Sequence, residues 1–188
     1  MSGAANPCLS MEGWRKGQST WTTDDMAHEP CFVGIDLASK LDLCCCALVF
    51  PPTPGHATWR IVQHIWTPEE TLVDRAHRDR APYLVWRDQG WLTATPGTQI
   101  DHQLIRAVLT EARDKYDVER IGFDPWHADT LITQLVNEDG FAAEQVLAVV
   151  QSSASPVQSA WSWAPMPFVS VEANRPLSFV VEIKGPAA

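Results

Sequence analysis

Hydrophobic residues in this chain fall into short blocks whose spacing changes once, near residue 67. Before that point the blocks read as strands. CFVGIDLA (31–38) is a nearly continuous apolar run, and LCCCALVF (43–50) is another. The polar SKLD between them suits a tight turn, so the two are expected to pair as a hairpin. PPTPG (51–55) breaks the chain, and TWRIVQHIW (58–66) alternates as a third antiparallel strand. From TPEETLVDRAHRD onward the period lengthens. Thr67 is expected to cap a helix with Pro68 in its first position and acids in its first turn. A second helical stretch is expected through YLVWRDQG to Gly90, and WLTATPG (91–97) reads as a short extended piece with a turn.

The clearest helix is 100–116, where Ile100, Leu104, Ile105, Val108, Leu109 and Ala112 share one face. RIGFD (120–124) is a brief strand ending in an acid. HADTLITQLVNEDG (127–140) is a helix closed by Gly140, and VLAVV (146–150) is a fifth strand. Three hairpin-linked strands followed by strand–helix alternation predict an α/β fold, with a mixed sheet carrying helices on its faces. The ends differ from this core. Residues 1–30 read as a linker-like segment before a domain spanning 31–150. Residues 151–188 hold four charged residues (Glu172, Arg175, Glu182 and Lys184) among Ser, Pro, Ala and Trp. That tail is expected to be atypical and poorly ordered, as a frameshifted or divergent end would be.

Composition narrows the function. With 188 residues, 45% apolar and 20% charged, the chain suits one globular domain with flanks. Its net charge of −9 argues against grip on nucleic acid through the overall field, but suits a site that concentrates divalent cations. No run approaches the ~20 apolar residues of a membrane span, and the N-terminus lacks the pattern of a signal peptide. A cytoplasmic protein is therefore expected. Five cysteines, with Cys44, Cys45 and Cys46 consecutive, supply no C-x-x-C pair for zinc and read as small buried thiols.

Two aspartates stand out. Asp36 lies near the C-terminal end of the first strand and Asp124 ends the fourth, and in a mixed sheet of this order those strands can be parallel neighbours ~4.8 Å apart. Two carboxylates at matching strand ends can share a hard cation such as Mg²⁺ or Mn²⁺. A metal pair there could activate water against a phosphodiester. The bland alternative for each is a turn or helix cap, with Pro125 and a helix start following Asp124. Asp101 opens the long helix as its N-cap or lies near the substrate. Lys40 follows the first strand and His127 follows Asp124 by three residues, so both are substrate-proximal candidates or ordinary surface residues. Asp42 reads as a solvated turn acid, and Trp126 as a side chain packed on the sheet.

GIDLASKLDL, Thr95 to Asp101 (TPG-x-x-ID) and IGFDPWHADTLITQLVNEDGF, in that order, resemble the nuclease domain of phage terminase large subunits. The run from Trp21 to Cys31 resembles the linker before that domain, so the resemblance covers about residues 14–150. It implies a ribonuclease-H-like fold and a metal-dependent, two-metal DNA endonuclease. It places the first catalytic and metal-binding aspartate at Asp36 and the second at Asp124. It further implies double-stranded DNA as substrate, a terminase small subunit and a portal as partners, and host cytoplasm as the location. The family's third acid lies in a K-I-D-like motif with no counterpart here, so the third carboxylate is unknown and the fold is expected to be C-terminally incomplete. SASPVQ (153–158) begins like the family's serine-proline segment and then departs from it. No G-x-x-x-x-G-K-[ST] loop marks an ATPase motor. Two other classes remain. One is a catalytically inactive terminase remnant or docking module. The other is an actin-like-fold kinase or ATPase, whose first strand also reads G-[IL]-D but continues with glycines that Leu37-Ala38-Ser39 does not supply.

Overall fold

The computed structural model describes residues 21–38, 43–125 and 128–149, together with the backbone of strands 169–175 and 178–183. Its strands are β1 (Pro30–Asp36), β2 (Cys44–Phe50), β3 (Trp59–Pro68), β4 (Thr93–Thr95), β5 (Asp117–Phe123), β6 (Val146–Ala148), β7 (Val169–Arg175) and β8 (Ser178–Ile183). The helices are α1 (Leu72–Asp79), α2 (Tyr83–Asp88), α3 (His102–Lys115) and α4 (Asp129–Asn137). One mixed sheet runs β6-β5-β1-β2-β3-β8-β7, with β4 pairing the end of β3. β1, β2 and β3 are antiparallel, as the hairpin pattern predicts, and β5 and β6 join β1 in parallel. This is the mixed sheet with interspersed helices of the ribonuclease-H-like fold.

One face of the sheet is buried because its alternate residues are apolar. On β1, Cys31, Val33 and Ile35 point into the core while Phe32, Gly34 and Asp36 are exposed. Cys44, Cys46, Leu48 and Phe50 continue the same layer on β2, leaving Cys45 half-buried on the other face. The three cysteines thus alternate as adjacent strand residues must. Helix α3 closes this layer with Ile105, Leu109 and Ala112, and α4 with Leu131 and Leu135. Leu104 and Val108, at the margin of the expected apolar face of α3, are exposed and partly buried. Arg106 of α3 grips the end of α4 through both carboxylate oxygens of Asp139, at 2.6 and 2.7 Å, and through Glu138 at 2.7 Å. Residues ahead of β1 also enter the core, where Trp21 meets the edge of Phe50 and Met26 is fully buried.

The helix start at Thr67 and Pro68 is overturned. Both residues end β3, where Thr67 pairs with Ala94 and Pro68 with Thr95 of β4. The helix begins instead at Leu72. Thr67 is fully buried, and its hydroxyl accepts from Arg75, itself buried on α1. A proline ahead of two acids signals a helix start from local propensity, but here a parallel ladder claims those residues first. The other boundaries shift by a few residues: β5 starts at Asp117, three residues early, and α4 at Asp129, two residues late. Within the compositionally distinct tail, β8 pairs antiparallel with β3 and β7 with β8.

Candidate nuclease site at the ends of β1 and β5

Asp36 and Asp124 come together as the strand order predicts. β1 and β5 are in parallel register through Val33–Ile121, Gly34–Gly122 and Ile35–Phe123, so the next position on each strand is an aspartate. Both carboxylates line one open cleft of about 400 Å³. Asp36 is exposed and Asp124 half-buried. The ends of an open sheet's parallel strands are where such folds place their sites, because loops diverge there and leave a crevice.

Neighbouring groups hold the two strand ends. The backbone N–H of Val149, just beyond β6, donates to the carbonyl of Phe123 at 2.8 Å, fixing the residue before Asp124. On the other side, the Cys44 thiol accepts from the N–H of Ala38 at 3.0 Å and lies 3.3 Å from its carbonyl, tethering the chain just past Asp36. Cys45 stands opposite Asp36 in the β1–β2 register and lines the same cleft. Burial, with the Asp36 carboxylate adding to it, pushes the Cys45 thiol up to about 11, so it stays protonated at neutral pH. Burial likewise raises Cys31 and Cys46. Cys31, Cys44 and Cys46 are buried thiols, as the sequence leads one to expect, whereas Cys45 is half-buried.

Asp101 is the N-cap of α3, accepting from the Gln103 N–H at 2.9 Å, and it is not among the residues lining the cleft. Lys40, Asp42, Trp126 and His127 lie outside the described residues. The floor and walls of the cleft, which the sequence did not single out, come from Gly34, Ala47, Gly122, Phe123 and Val149. They are brought in by register across four strands. The available signal was a glycine inside each of two apolar strands, which often marks close approach of another backbone or a ligand.

The donor chemistry suits a hard divalent cation. Among the described residues no group of three or more His, Cys, Asp or Glu side chains is placed to hold a metal. Two carboxylates nonetheless match the usual holding of Mg²⁺, where one or two carboxylates act with waters and substrate phosphates.

A family model described as "Terminase large subunit, endonuclease domain" matches residues 6–160, more than half of the chain. The chain belongs to the terminase large subunit endonuclease-domain family. Among relatives of this terminase nuclease domain, the large terminase subunit of Enterobacteria phage HK97 is 36% identical over 98 residues, covering 52% of this chain and 19% of the relative. Protein YmfN of Escherichia coli strain K12 is 25% identical over 145 residues, covering 72% of this chain and 31% of the relative. The crystal structure of the HK97 large terminase shares the fold at a TM-score of 0.62 and 24% identity, over 84% of this chain and 32% of that one. The chain therefore spans less than a third of the length of these relatives. The first strand's aspartate and the D-P strand end, on which the sequence resemblance rested, lie inside the matched region. Among the described residues no helix is long and apolar enough to cross a membrane.

Proposed function

We propose that this terminase nuclease domain hydrolyses phosphodiester bonds of double-stranded DNA in viral genome packaging, with Mg²⁺ or Mn²⁺ held by Asp36 and Asp124. One observation carries the reading: the two carboxylates occupy matched ends of adjacent parallel strands and line one open cleft. Asp36 and Asp124 supply anionic oxygen donors from rigid strand termini, so little ordering is needed when a cation arrives. When bound, divalent cations at such a site supply a polarised water and neutralise charge on the leaving oxygen. Both residues line the cleft, Asp36 exposed and Asp124 half-buried. The net charge of −9 favours cation uptake and leaves the hold on DNA to the local site or to further partners. In a full packaging assembly those partners are a terminase small subunit and a portal.

Titration calorimetry with Mn²⁺ tests the site. Binding heat is expected from the parent chain and is largely lost in Asp36→Asn. A plasmid-nicking assay tests the reaction, with Asp124→Ala expected to lose the activity. Absence of Mn²⁺ binding by the parent sinks the metal site, and unchanged nicking in Asp124→Ala removes that residue from it. Mn²⁺ binding without any nicking favours the alternative reading, a catalytically inactive terminase remnant or docking module.

A further inference from the structure

Gly34 sits in the middle of β1, a central strand, where glycine weakens pairing and offers nothing to pack. Neither usual reason for tolerating it applies. Its backbone is not in the left-handed region, which among the described glycines is occupied by Gly90, Gly97 and Gly140. A Cβ built on Gly34 meets no heavy atom within 4 Å among the described residues. Its register partner Gly122 is different, because a Cβ there stands 3.4 Å from the Val149 side chain. Gly122 thus answers to packing within the fold, whereas nothing described in the fold requires glycine at 34.

The empty space above Gly34 is part of the cleft. Gly34 precedes Asp36 by two residues on the same strand face, and Gly122 precedes Asp124 by two. With Ala47 on β2 in the same row, the cleft floor carries nothing beyond a methyl from Gly34 to Ala47, one strand spacing of about 5 Å, while the Val149 side chain stands over the Gly122 end. Gly34 thus lies in the same open cleft as both aspartates, two residues back along the strand from Asp36.

We propose that Gly34 is a substrate-positioning residue whose missing side chain admits one sugar–phosphate strand close enough to Asp36 and Asp124 for a divalent cation to bridge phosphate and carboxylates. The proposal rests on the reading of this cleft as a phosphodiester site. A side chain at 34 holds the scissile phosphate off the carboxylates by an ångström or more while leaving the carboxylates themselves intact. Displacement on that scale costs roughly 100-fold in rate.

The test uses the full chain with Gly34→Ala and Gly34→Val, measuring thermal midpoint, Mn²⁺ binding heat, and the kcat and KM of DNA cleavage. The expected result is a midpoint equal to or above the parent's and unchanged Mn²⁺ heat. Cleavage falls in steps with side-chain size, by roughly 100-fold for valine. Parent-level cleavage by Gly34→Val overturns the proposal. So does a midpoint lowered by several degrees in Gly34→Ala, because protein rather than substrate then needs the space. Both outcomes leave the parent's Asp36-dependent cleavage standing. Failure of the nuclease reading looks different: the parent itself then neither binds Mn²⁺ nor cleaves, and the assignment of Gly34 falls with it.

Discussion

The two faces of one sheet are held to different requirements, and β1 shows the contrast residue by residue. Cys31, Val33 and Ile35 are each at most 5% exposed and join the core under α3 and α4. Phe32, Gly34 and Asp36 alternate with them and face the cleft side, where Phe32 is 39% exposed. Because strand side chains alternate, a single run of seven residues serves packing with one set and the candidate chemistry with the other. Stability and activity should therefore separate under mutation according to odd or even position along the strand.

The sharpest way to break that comparison is on the packed face. Ile121 of β5 is fully buried beneath the helices and adjoins Gly122 of the cleft. Ile121→Ala is expected to cost about 2–5 kcal/mol in denaturant unfolding, since the rigid surroundings leave a cavity. A loss under 1 kcal/mol there would show that the helices do not pack as described. Next in size is Asp36→Asn, which should abolish Mn²⁺ binding yet leave the unfolding midpoint at or above the parent's. A clear loss of stability in that variant would mean that the open face is structural as well.

A smaller effect belongs to the clamp between the helices of the packed face. Hydrogen bonds from Arg106, first among the causes, hold the Asp139 carboxyl below the usual carboxylate range. A group whose pKa falls on folding stabilises the protein above its unfolded pKa, and that contribution fades as pH drops through the folded value. Asp139→Asn should therefore be less stable than the parent near neutral pH. The gap should close in acid, below about pH 4, in parallel melts across pH. Both partners keep partial exposure, 19% for Arg106 and 11% for Asp139, so the gap will be below that of Ile121→Ala. Smallest of all is Leu104→Gln. At 38% exposure on the margin of α3, it should change stability by no more than about 0.5 kcal/mol.

Much of this was legible in the chain itself. The three-strand meander, the α3 helix with Ile105, Leu109 and Ala112 on its buried face, and the pairing of Asp36 with Asp124 all follow from period and order. Thr67 and Pro68 were misread because local helix-start chemistry is silent about β4, a partner 27 residues away in sequence. The Asp101 cap was legible, since an Asx residue before a helix is a local signal whose hydrogen bond closes within two residues. The cleft's other walls were not. Cys45, Ala47 and Val149 gain their place only through register between strands.

Sequence by itself determined which residues are apolar at which period, and hence the elements, their buried faces and the two strand-end carboxylates. These depend on interactions within a few residues and on the alternation of side chains along a strand. Tertiary structure alone decided that Val149 ties down the end of β5, that Arg106 clamps α4, and that the space above Gly34 belongs to the cleft both aspartates line. Each depends on the side-by-side placement of distant segments, which sheet register sets and no local pattern encodes.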